Sequence, residues 1–312
     1  MRIHRTTSCV IAVALAFAVA RTAAGQDAKA AQILADARKA IGGKKLDGLT
    51  SLSVQAAAQR NIGNFQLTSD VELLLNLPDK YLRSENSNSP SFAVANTTGF
   101  NGDRAIKSRM TPSGGMFIRM GGPGMPMPGN TEKPTPEQQA QLDKQMVQSA
   151  RQEISRLMLG WFAMEHPSIP LQFTYAGEAE SPDGKAFILD ARGADGYSAR
   201  LFIDQETHLP LMVTYKGAQG RVVTVGGPPP GGGREGSPPP GQTPPASPAE
   251  RQAQTPAMVE YALYFDDWRE HHGIKFPYSL RRASAGTTVE EWTISKVLFD
   301  PKIDPKKFDS EQ

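Results

Sequence analysis

The stretch Phe65-Gln66-Leu67-Thr68-Ser69-Asp70-Val71-Glu72-Leu73-Leu74-Leu75-Asn76-Leu77 decides the fold. Phe65, Leu67, Val71, Leu73, Leu75 and Leu77 share one parity, and Gln66, Thr68, Asp70, Glu72 and Asn76 share the other. Successive side chains of a strand point to opposite faces, so this segment predicts a strand with one buried face and one wet face, as in an antiparallel sheet. Upstream, residues 49–60 form the partner strand, joined to it through Asn61-Ile62-Gly63-Asn64, a short glycine-containing link that closes a hairpin. Downstream, strands are expected at 80–85, 92–100 and 104–110, with Asn101-Gly102-Asp103 as the turn between the last two.

Helical periods bracket this first strand series. Asp27 can cap a short helix whose apolar positions Ala30, Ile33, Leu34, Ala37 and Ile41 recur at helical spacing, with Gly42 and Gly43 ending it. Thr135-Pro136-Glu137 starts a longer helix with Pro at its first position. Its stripe is Leu142, Met146, Ala150, Ile154, Leu157 and Trp161, and His166-Pro167 closes it. A second strand series follows at 171–180, 185–192, 197–204, 211–216, 259–269, 275–282 and 288–299, punctuated by turns at 181–184 and 193–196. The fold class expected is α+β and mainly antiparallel β: a strongly curved sheet or open half-barrel of roughly 11–12 strands, with one short N-terminal helix and one long helix as lid.

Composition sets further bounds. Arg2, His4 and Arg5 precede an apolar run from Cys9 to Ala20, and Ala23, Ala24 and Gly25 supply the small residues of a cleavage site, so residues 1–25 read as a secretory signal cleaved before Gln26. The apolar run is shorter than the roughly 20 residues that span a bilayer, and no transmembrane anchor is expected. The single cysteine, Cys9, leaves with the signal, so the mature chain has no thiol for a disulfide or zinc site. A formal net charge of +2 without a concentrated basic surface excludes a nucleic-acid partner. The mature chain, 26–312, is expected to be a single periplasmic domain and a monomer. Two insertions interrupt it: 111–136 is rich in Gly, Pro and Met, and 226–256 is a Pro/Gly/Ser run. Neither is expected to form regular structure, and the second has almost nothing apolar to offset an ordering cost of about 1–2 kcal/mol per residue.

The order helix, strands, long helix, strands resembles the outer-membrane lipoprotein-carrier superfamily, the LolA/LolB-like proteins. Local stretches are similar too: residues 201–210 as strand, acidic turn and proline; Phe100-Asn101-Gly102-Asp103 as a short turn; 265–277, containing Gly273-Ile274-Lys275-Phe276-Pro277, and the ending 299–308 as closing strands and tail. The resemblance implies an unclosed barrel, lidded by helices, whose concave apolar face shelters the acyl chains of a lipid or lipoprotein. The length and the two insertions depart from the classical carriers.

Such a face needs apolar area rather than a catalytic group, because each methylene removed from water contributes about 0.8 kcal/mol. Its candidate residues are Phe65, Leu67, Val71, Leu73 and Leu75; Leu201 and Ile203; Tyr261, Leu263 and Phe265; and Leu157, Trp161 and Phe162 on the long helix. The same residues would equally fill a closed core, since inward apolar parity is the rule of any sheet. Met110, Met116, Met120, Met125 and Met127 are soft sulfur donors that could select Cu(I), but no His or Cys joins them and their spacing matches no fixed geometry. They fit better as a methionine flap or a link between strands. Adjacent His271 and His272 diverge in a strand or face solvent in a turn, and His166 and His208 sit at a helix end and a turn. Asp266-Asp267 and Glu290-Glu291 are paired only in sequence, since consecutive strand residues diverge. No catalytic residue and no cofactor is assigned. The leading reading is a non-enzymatic lipid or lipoprotein carrier. Its rivals are an envelope sensor or interaction module of the same fold, docking envelope proteins through the proline-rich loop, and a secreted hydrolase.

Overall fold

The computed structural model describes residues 27–62, 65–89, 92–107, 117–121, 135–182, 184–219, 221–225 and 257–309. The expected export signal lies outside them. A helix α1 over 27–41 leads into a short 3-10 turn, Gly43–Gly48. The first strand series is β1 (Ser51–Ile62), β2 (Phe65–Asn76), β3 (Lys80–Ser89), β4 (Phe92–Asn101) and β5 (Arg104–Lys107), followed by β6 (Phe117–Gly121). Helix α2 (Pro136–Phe162) precedes β7 (Leu171–Ser181), β8 (Gly184–Gly193), β9 (Ser198–Asp204), β10 (Pro210–Ala218) and β11 (Arg221–Val225). The chain closes with β12 (Met258–His271), β13 (Ile274–Ser284), β14 (Thr287–Phe299) and a 3-10 turn, Pro305–Phe308.

Twelve strands form one sheet in the order β5-β4-β3-β2-β1-β14-β13-β12-β10-β9-β8-β7. The order has two ends, β5 and β7, so the sheet is open, and the mainly antiparallel α+β class expected from the alternation is what the chain adopts. β6 and β11 make a separate antiparallel pair, with Val223 opposite Arg119. This differs from the sequence expectation, because β6 falls within 111–136 and β11 had no strand signal of its own; each gains its backbone partners from the other. Helix α2 stops at Phe162, earlier than His166, because Ala163 takes φ 50 in the left-handed region.

The contacts divide into two compact units. The first draws on Met1–Thr50, Arg151–Tyr215 and Ala262–Arg282. Within it, the predicted α1 stripe buries Ala30, Ile33, Ala37 and Ile41. The end of α2 is buried almost all round from Leu157 to Phe162. The second unit draws on Ser51–Ala150, Lys216–Tyr261 and Ala283–Gln312. There β1 pairs with β2 on one side and β14 on the other, so that Val54 faces both Leu73 and Val297. A register shift between Gln55 and Ala56 lets β14 keep Trp292, Ile294 and Val297 all buried although they do not alternate strictly. On the opposite parity Leu74, Leu82 and Ile106 pack with Phe308 and Ile303 of the C-terminal segment.

Candidate functional site

In the second unit, Leu67, Val71, Leu73 and Leu75 share one face of β2, and all four are buried. Their neighbours across the β1 ladder continue it: Leu52, Val54, Ala56 and Ala58, each buried, lie opposite Leu75, Leu73, Val71 and Ser69. Small and aliphatic side chains here make a buried apolar row. Phe65 lies on β2, but its side chain is outside the described residues. Tyr261 is half-buried and donates its hydroxyl proton to the Ala218 carbonyl at 3.4 Å.

Toward the β1–β2 hairpin the same face turns polar. Glu290 Oε1 accepts from Arg60 Nη2 at 2.7 Å, Arg83 Nη2 at 2.9 Å and the Trp292 indole N–H at 3.0 Å. Glu85 accepts from Arg60 Nη2 at 2.8 Å and from the Ser69 hydroxyl at 2.7 Å. The Arg83 guanidinium also lies 4.7 Å from the Trp292 ring centroid. Two guanidiniums and two carboxylates thus neutralise one another in a place where an isolated charge would be costly. Nothing in the sequence reading singled out this network. Its signal was parity: Arg60 continues the row Leu52, Val54, Ala56, Ala58, and Glu290 continues Trp292 and Ile294.

In the first unit the candidates Leu157, Trp161, Phe162, Leu201, Ile203, Leu263 and Phe265 are all buried. The structure brings several of them together. Trp161 and Phe162 both pack against Phe276 in tilted arrangements, with ring centroids 5.1 and 5.8 Å away, and Phe265 lies against the backbone of Gly160. Phe276 was not among the sequence candidates, although its strand was. The Trp161 indole nitrogen is buried and has no hydrogen-bond partner among the described residues.

The remaining sequence candidates fall apart as chemistry. Glu290 is buried while Glu291 is exposed, and Asp266 and Asp267 are both exposed. His271 and His272 are exposed, with His272 at φ 52 in the turn before Gly273. His166 is fully buried, and its Nδ1 accepts the Ser168 backbone N–H at 3.1 Å, which places the ring proton of the neutral form on Nε2. Burial, helped by the Arg151 charge, pulls its pKa down to about 4. Among the described residues no group of three His, Cys, Asp or Glu could hold a metal ion. Met110, Met116, Met125 and Met127 lie outside the described residues, as does the side chain of Met120 on β6.

No family model matches the chain, and no curated protein matches it. Solved structures do resemble it over nine-tenths of its length. A LolA superfamily protein from Nitrosomonas europaea is 11% identical, with a TM-score of 0.46, covering 90% of this chain and 97% of its own. An outer membrane lipoprotein-sorting protein domain from Vibrio parahaemolyticus is 10% identical, with a TM-score of 0.45 and coverages of 91% and 97%. A DUF1329 family protein from Desulfovibrio piger is 11% identical, with a TM-score of 0.44 and coverages of 90% and 97%.

Proposed function

We propose that the chain is exported to the periplasm and works there, over residues 26–312, as a non-enzymatic carrier that holds the acyl chains of a lipid or lipoprotein against the apolar faces of its sheet. The observation that carries this reading is the buried row Leu67, Val71, Leu73 and Leu75 beside Leu52, Val54, Ala56 and Ala58. Such a row offers hydrocarbon contact with no directional demand, which suits a flexible chain gaining about 0.8 kcal/mol per methylene.

Native mass spectrometry of the mature protein after mild purification tests it. Extractable lipid near one per chain is the expected result, together with a mature N-terminus at Gln26 in the periplasmic fraction. A protein that comes out empty and shows no saturable binding of a fluorescent phospholipid refutes the carrier reading and leaves the interaction module.

A further inference from the structure

Arg156 on α2 is half-buried beneath two phenol rings. Its Cζ lies 4.0 Å from the ring centroid of Tyr215 on β10 and 5.7 Å from that of Tyr197, just before β9. Its Nη2 donates to the neutral Gln152 Oε1 at 3.0 Å. Among the described residues no carboxylate lies within ion-pair distance of this guanidinium, and its Nε is buried without a hydrogen-bond partner. Tyr197 is only 2% exposed, and its hydroxyl is likewise buried and unpartnered. Burial lowers the Arg156 pKa, and Arg282 on β13 opposes its charge further, while Tyr215, Tyr197 and Glu153 act the other way. The guanidinium nonetheless stays charged, since arginine is not deprotonated in proteins. Burial also raises the Tyr197 pKa, so its phenol remains a proton donor.

Unemployed donors on a guanidinium that no described carboxylate pairs are what an anion would satisfy. Aromatic faces hold the guanidinium plane in place, which limits the ordering needed when a ligand arrives. We propose that Arg156 and Tyr197 form a binding site for an anionic group, a carboxylate or a phosphate, with the Arg156 Nε–H and the Tyr197 hydroxyl as donors. That the anion is the head of an amphiphile rests on the carrier reading; the site itself does not.

Calorimetric titration of the mature chain with oleate, oleyl alcohol, acetate and inorganic phosphate separates the two. Oleate is expected to bind about tenfold or more tightly than oleyl alcohol, the scale of a hydrogen bond to a charged group. Arg156→Gln and Tyr197→Phe should each erase most of that preference. Tyr197→Phe removes a hydroxyl that has no hydrogen-bond partner among the described residues, so its melting temperature should hold or rise while oleate affinity falls, which a purely structural tyrosine would not do. Equal affinity for oleate and oleyl alcohol, or a preference for oleate untouched by both variants, overturns the site and leaves the carrier standing. Variant-sensitive binding of acetate or phosphate without binding of either long chain upholds the site and refutes the carrier. Binding of none of the four refutes both.

Discussion

Gly160→Ala measures how tightly the interior of the first unit is filled. A Cβ added there would lie 1.9 Å from Cζ of Phe265, 2.2 Å from Cε2 and 2.5 Å from Cε1. Ordinary carbon contacts begin near 3.4 Å, so the ring must retreat by about 1.5 Å. Phe265 is 1% exposed, and Trp161, Phe162 and Phe276 on the same unit are fully buried. Overpacking of this kind costs about 1–3 kcal/mol or more. A retreat of this size belongs in the upper part of that range, about 2–3 kcal/mol, and alanine recovers about 1 kcal/mol of helix propensity over glycine, leaving a net loss of about 1–2 kcal/mol. The colliding atoms are the three that Phe265→Leu deletes, so in that background the alanine methyl enters vacated space and Gly160→Ala should turn neutral or mildly stabilising. Urea unfolding followed by tryptophan fluorescence, run as a double-mutant cycle, reads this change of sign. A neutral or stabilising Gly160→Ala in the wild-type background would refute the reasoning, because it would mean that Phe265 has empty space to move into.

Glu290→Gln should destabilise the fold by roughly 3–5 kcal/mol, because it removes a buried carboxylate that both Arg60 and Arg83 pair with. Adding Arg83→Met should cost less than the two single losses combined, and a Glu290→Gln change within about 0.5 kcal/mol of wild type would show the network to be idle. His166 contributes through its depressed pKa: between about 6.5 and about 4 the unfolded chain binds the proton and the folded chain does not, so stability rises with pH across that window and is lost on acidification. Urea titrations at about pH 7 and pH 4 should therefore cost the wild type about 3 kcal/mol more than His166→Gln, and equal losses would place the sensitivity elsewhere.

Alternation made β2 legible because its two faces meet different environments, and the inference extended to every strand whose neighbours share that asymmetry. It failed where the stabilising partner is remote. β6 and β11 are five-residue strands flanked by Gly- and Pro-rich sequence, and among the described residues each finds its ladder in the other, about a hundred residues away along the chain. The early end of α2 depends on Ala163 entering the left-handed region, which alanine does not announce. Of the candidate site, the apolar row was readable from parity alone. The charged network was half readable: parity puts Arg60 and Glu290 on the apolar face, but only the β1–β14 pairing sets them opposite each other across a sequence separation of 230. Phe276 was visible as a strand residue, yet its role comes from Trp161 and Phe162 arriving from a helix.

The two arginine clusters differ in what they leave available to a ligand, and that difference decides where a polar head would sit. Arg60 and Arg83 are balanced by Glu85 and Glu290, and the Oε1 of Glu290 alone collects three residues' donors. An anion entering there would have to displace a buried carboxylate, stranding it, which costs more than a new ion pair returns. The charged network therefore behaves as a closed polar boundary to the apolar row rather than as a receptor. Arg156 has the opposite accounting: among the described residues its guanidinium donates to the neutral Gln152, and its Nε has no partner. An incoming carboxylate or phosphate would break no ion pair of Arg156 among the described residues, so the cost that closes the Arg60–Arg83 network to an anion does not arise at the proposed site on α2.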